Sequence, residues 1–146
     1  MEFLLENLRR ELEMVQSTLK GLNTDVVSLG GSGATKVLTA ADSGAIVKMG
    51  GSDASTVTLP AAAEGLKFRF VATTAHAHVI NGGASSIQGG YHHNTNAATV
   101  ARVAVSNKSS LTLHNSNAAQ GDTLEMWCDG EDWHVSGIVN DVITQA

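Results

Sequence analysis

Between Gly121 and Gly137 the sequence reads GDTLEMWCDGEDWHVSG, which gathers both tryptophans, the only cysteine and a histidine among five acids. A thiol beside an imidazole is the pair that nucleophilic catalysis uses, with a third group to orient the base. Strand alternation separates the two here. It puts Leu124, Met126 and Cys128 on one side, with Thr123, Glu125 and Trp127 on the other. A return strand sets Trp133 and Val135 opposite His134 and Ser136. On this reading Cys128 is a small core hydrophobe and His134 lies on the polar face. Asp129, Glu131 and Asp132 offer some of the roughly six to eight oxygens that calcium takes, but no calcium loop has this spacing. Asp129-Gly130 does suit a tight hairpin turn, because glycine reaches positive φ without strain. The stretch reads as a well-formed hairpin, and no catalytic residue is expected in it.

His76 and His78 are a second candidate. At i and i+2 on a strand they share a face. One chain supplies only two ligands, whereas three chains around an axis would supply enough nitrogens for an octahedral metal. The pair stands alone in VATTAHAHVING, so the favoured reading is a partly exposed strand end with no metal. Tyr91, His92 and His93, in GGASSIQGGYHHNTN (82–96), form a third cluster. An exposed aromatic among polar side chains could stack on a sugar ring or touch a partner protein; a plain surface loop is the favoured alternative. The runs LGGSGATK and MGGSD lack the spacing of a phosphate-binding loop and read as turns. No acid/base pair or phosphate cradle is visible, so neither an enzyme nor a cofactor is expected.

The elements that carry these residues fall into two regimes. In MEFLLENLRRELEMVQSTLKGLNTDVV the apolar residues are Met1, Leu5, Leu8, Leu12, Val15, Leu19, Leu22 and Val26. From Leu5 onward they alternate steps of three and four, the seam of a coiled coil. Glu and Arg fill the outer positions, and Gly21 and Asn23 weaken the end of the helix. This predicts a helix over 1–27 that associates with copies of itself; docking onto its own domain would normally need a wider apolar stripe. SLGGSGATK (28–36) reads as a linker.

Over 37–146 the period changes to two. Strands are predicted at 35–39, 45–49, 55–59, 67–74, 77–81, 99–106, 110–115, 123–128 and 133–139, with 82–96 as the least regular loop. No internal repeat stands out. Of the 146 residues 42% are hydrophobic but only 4% aromatic, so Ala, Val, Leu and Ile must fill the core. Fifteen glycines against one proline, Pro60, point to many tight turns. These features predict a mainly β architecture, an N-terminal coiled-coil helix followed by an antiparallel sandwich or jelly-roll-like domain.

A net charge of −5 with scattered basic residues argues against nucleic acid as a partner. No apolar run is long enough to span a bilayer. The N-terminus, studded with Glu and Arg, lacks the apolar core of a signal peptide, so a soluble protein that stays unexported is expected.

VLTAADSGAIVKMGGSDASTVTLPAAAEGLKFRFVATT (37–74), together with the hairpin 121–137, resembles bacteriophage virion accessory proteins. These include the head decoration, or cement, proteins and some head or tail fibre domains. The resemblance covers about two-fifths of the chain and omits 82–96. It carries Pro60, Gly65, Asp129, Gly130 and Trp133 as turn and core positions. It implies a β fold, a homotrimer and a place on the virion surface, bound to the major capsid protein. On that reading Leu5, Leu8, Leu12, Val15, Leu19 and Leu22 drive assembly. The alternatives are a tail-fibre or baseplate adhesin with Tyr91, His92 and His93 near its tip, and a carbohydrate-binding module. Fibre shafts in such proteins do bind metal through His-x-His pairs, which would give His76 and His78 a role.

Overall fold

The helix of the described residues is one turn shorter than the heptad pattern. A computed structural model describes the backbone of residues 1–22, 25–96, 99–113 and 121–146, and the same side chains apart from 17–22 and 95–96. Helix α1 spans Glu2–Leu22. Val26, the last residue of the heptad pattern, belongs instead to strand β1 (Val26–Leu29). The expected linker 28–36 therefore contains the end of β1 and the start of β2 (Thr35–Val37), and the β domain begins at 26.

Twelve strands follow the helix in the described residues. The others are β3 (Ile46–Met49), β4 (Thr56–Thr58), β5 (Lys67–Ala72), β6 (Val79–Asn81), β7 (Ile87–Asn96), β8 (Thr99–Lys108), β9 (Ser110–Thr112), β10 (Thr123–Cys128), β11 (Trp133–Val139) and β12 (Thr144–Gln145). They form a seven-stranded sheet, β1-β3-β5-β10-β11-β7-β8, and a five-stranded sheet, β12-β9-β6-β4-β2. Inward side chains of both, such as Phe68, Phe70, Met126 and Trp133 from the first and Val57, Ile80 and Leu111 from the second, share one hydrophobic cluster.

The antiparallel, jelly-roll-like expectation is corrected: both sheets are mixed. β1, β3 and β5 run parallel in one sheet, and β2, β4 and β6 run parallel in the other. The chain alternates between sheets, laying down stacked two-strand rungs. Val26 pairs with Ile46, and Ile46 with Arg69. Thr35 likewise pairs with Thr56, and Thr56 with Val79. The antiparallel part comes later, where β10 pairs with β5 and β11, β7 with β8, and β9 with β6 and β12.

This register exposes a repeat that the sequence reading missed. VVSLGGSGATKVLTAADSG (26–44) lies over IVKMGGSDASTVTLPAAAEG (46–65), with Ser55 as the one inserted residue. Gly30-Gly31-Ser32 matches Gly50-Gly51-Ser52, and Leu38 matches Leu59. The paired glycines have a physical cause. Gly51 has φ +106, and a Cβ there would stand 2.3 Å from the carbonyl oxygen of Gly31, so the stacked turns leave no room for a side chain.

The second correction concerns 82–96. This expected loop contains β7, held between β11 on one side and β8 on the other. Its approach to β11 depends on Gly89, whose Cβ would lie 2.4 Å from the Val135 carbonyl oxygen.

Candidate functional site

The hairpin of β10 and β11 has the faces its alternation predicts. Leu124, Met126, Cys128, Trp133 and Val135 are buried, while Glu125, Trp127 and Ser136 are exposed. Cys128 pairs in register with Trp133 and lies on the opposite face from His134, so the thiol has no base beside it. Its Sγ instead accepts a hydrogen bond from the Gly130 amide, at 3.4 Å.

The acidic turn is self-contained. Asp129 Oδ1 accepts from the amides of Glu131 and Asp132, each at 2.9 Å, and Oδ2 lies 2.7 Å from His134 Nε2. The amide of Asp132, then His134 and the amide of Glu131, hold the Asp129 carboxyl well below the usual carboxylate range. A carboxylate already used in this way organises the turn. Its partner His134 stacks on Trp127, with ring centroids 4.5 Å apart and planes 18° from parallel.

His76 and His78 do not form a two-ligand face. Their rings meet edge to face at 6.0 Å, and His78 is fully buried where β6 begins. The Ser55 amide donates to His78 Nδ1 at 3.0 Å, with Ser55 Oγ at 2.8 Å. Because Nδ1 accepts, the ring proton sits on Nε2, which donates to the Thr74 carbonyl at 3.1 Å. Burial pushes His78 below the usual histidine pKa, and the charge of His76 adds to that. Nδ1 ties the start of β6 to the start of β4 and Nε2 ties it to the segment after β5, so both nitrogens are committed and neither is left for a metal. Among the described residues no group of three or more His, Cys, Asp or Glu side chains could hold a metal ion.

The cluster Tyr91, His92 and His93 is split by the alternation of β7. Tyr91 and His93 point into the core, at 0% and 5% exposure, and only His92 is exposed. Tyr91 is thus no surface platform for a sugar. Its hydroxyl accepts from the Ile143 amide at 2.8 Å and donates to the Ile143 carbonyl at 3.3 Å, tying the C-terminal segment to β7. Tyr91→Phe strands that buried amide. It should cost about 1–3 kcal/mol, measured as a lower urea midpoint with an unchanged slope.

The helix is the remaining candidate. Leu5, Leu8, Leu12 and Val15 are 59, 58, 54 and 53% exposed in the order Leu5, Leu12, Leu8, Val15, and none of the principal contacts between elements involves α1. The side chains of Leu19 and Leu22 lie outside the described ones. Arg9 pairs with Glu13 at 3.2 Å and Arg10 with Glu6 at 3.9 Å, one turn apart along the helix. No helix among the described residues is long and apolar enough to cross a membrane.

Sequence reasoning missed Trp127 as an exposed aromatic of interest. Its position outside the apolar side of β10 was the available signal. No family model, curated protein or solved structure matches this chain.

Proposed function

We propose that this chain is a virion structural protein that associates through its N-terminal helices into a homotrimer and decorates a phage capsid. The observation that carries the assembly is the row of Leu5, Leu8, Leu12 and Val15, more than half exposed on a helix that takes no part in the principal contacts between the described elements. An isolated helix of this length is marginal in water, so such a seam calls for partner helices. Leu5 and Leu12 take the first apolar position of the heptad, with Leu8 and Val15 in the second. Leucine dominates both positions, so the seam supports association without fixing the number of chains, and the number three comes from the resemblance to virion accessory proteins.

The β domain supplies the surface that meets the shell. We read its two sheets as the faces of a sandwich, with the helix leaving from β1 at one edge. Three copies of a modest contact act together once the helices link them, so avidity takes the place of a single strong site. The resemblance of 37–74 and 121–137 to virion accessory proteins is what directs this assembly to a capsid, with the major capsid protein as partner.

Quantitative mass spectrometry of purified particles tests the reading. Decoration predicts a copy number comparable with that of the shell protein. A handful of copies per particle would replace it by a tail-fibre role, and absence from particles would remove both. Light scattering of the pure protein should give three times the single-chain mass of 15.1 kDa.

A further inference from the structure

The outer face of the seven-stranded sheet carries an aromatic arrangement that neither the core nor the assembly seam uses. Trp127 is 52% exposed. Lys67 on β5 and His134 on β11 flank it in register. Glu125 precedes it by two residues on the same face, paired with Arg69 through Arg69 Nε at 2.8 Å. Ser136 completes the surround, beside Glu125 in register. A cleft of about 510 Å3 opens over these strands, with Gly44 and Ile46 on the β3 side and Ser136 on the β11 side. Nothing lies within 4 Å of where a Cβ would stand on Gly44, so that end is open.

We propose that this cleft binds a pyranose ring of a glycan, stacked on Trp127. A pyranose has an apolar C–H face and a rim of hydroxyls. It needs a flat aromatic surface with hydrogen-bonding side chains around it, and Trp127 ringed by Lys67, Arg69, Glu125 and Ser136 has that composition. A contact between proteins centres instead on an apolar patch from which charged residues are depleted. The volume falls in the range of small-ligand sites, roughly 300–1,000 Å3.

The platform is also held in place before a ligand arrives. Two turn amides fix Asp129, Asp129 fixes His134, and the His134 ring lies flat against the indole. An exposed tryptophan held in this way loses little further freedom on binding, which favours affinity. The site uses no residue of the helix, so the inference does not rest on the helical assembly or on where on a particle the protein sits.

The test uses the full chain on an array of oligosaccharides ending in hexose, N-acetylhexosamine or sialic acid. A glycan that is retained is then titrated while the two indole N–H signals are followed by NMR. The expected result is retention of at least one glycan, a shift of the Trp127 signal with that of buried Trp133 unmoved, and loss of retention in Trp127→Ala. The wild-type titration reads the site without relying on any variant. An array that retains nothing, a retained glycan that leaves the Trp127 signal in place, or retention unchanged in Trp127→Ala overturns the proposal. A fall in solution mass on Trp127→Ala would also overturn it, by assigning the indole to a contact between copies.

Discussion

Leu8→Asp combined with Leu12→Asp should reduce the protein to a single chain of 15.1 kDa while leaving the β domain folded. The two leucines are consecutive layers of the seam, 54% and 58% exposed in one chain. Full burial of each is worth about 1.5–3 kcal/mol, and the proposed association would bury every copy. Aspartate reverses the sign, because it brings like charges together in an apolar seam where neither is solvated. Leu8→Ile with Leu12→Ile conserves volume and polarity and should keep the assembly. Since α1 takes no part in the principal contacts of the sheets, the near-UV signal of buried Trp133 should be the same in all three proteins. Light scattering reads the mass directly; an unchanged mass in the aspartate variant would sink the helical assembly. On particles the same variant should lose retention even though each β domain still folds, because its contacts then act singly.

The features legible in the sequence were those set by local period. The helix over Glu2–Leu22, the faces of β5, β10 and β11 and the Asp129-Gly130 turn each follow from which neighbours a side chain meets within its own element or the next. Phe68 and Phe70 alternate with Lys67 and Arg69, and burial follows that alternation. The parallel pairing could not be read in the same way, because an inward-facing valine has the same pattern in either direction. The repeat was hidden by what varies within it. Exposed Ser28 answers to Lys48, exposed Lys36 answers to buried Val57, and Ser55 shifts the frame by one. The turn glycines are held for want of space at Gly51, and the identities beside them, such as Val27 with Val47 and Thr35 with Thr56, are short and scattered.

β7 failed for a different reason. IQGGYHHNTN has weak strand propensity, and its glycines suggest a loop, yet strands on both sides impose the extended form. The same neglect of β7 placed Tyr91 at the surface. Among candidate sites, the reading erred where it judged a side chain by its type alone. Tyr91 and His78 are polar residues whose partners, the Ile143 amide and the Ser55 amide, are far away in sequence.

His78→Ala should lower stability by about 3 kcal/mol, the sum of a stranded buried amide and the cavity left by the ring. Ser55 loses the acceptor for its amide, and the bond to the Thr74 carbonyl goes as well. His78→Gln keeps an acceptor and a donor and should recover part of the loss. The two variants differ from the wild type in pH dependence as well. The folded protein holds His78 neutral, because burial lowers its pKa, whereas the unfolded chain protonates near about 6.5. Between the depressed folded value and about 6.5 the unfolded state binds more protons, so stability falls as pH drops through that window and is level above it. His76, edge-on to the ring, strengthens the effect once it is charged. Asp129 gives the same direction at a separate pH. Its contribution is present above the usual carboxylate range and is lost only as pH falls below that range. Urea unfolding at about pH 7.5 and about pH 5.5 therefore keeps histidine protonation apart from that of Asp129, and the variant assigns it to His78. The wild type should lose stability between the two, and His78→Gln should lose less. Equal losses would move the acid sensitivity to another histidine and leave His78 as a packing residue alone.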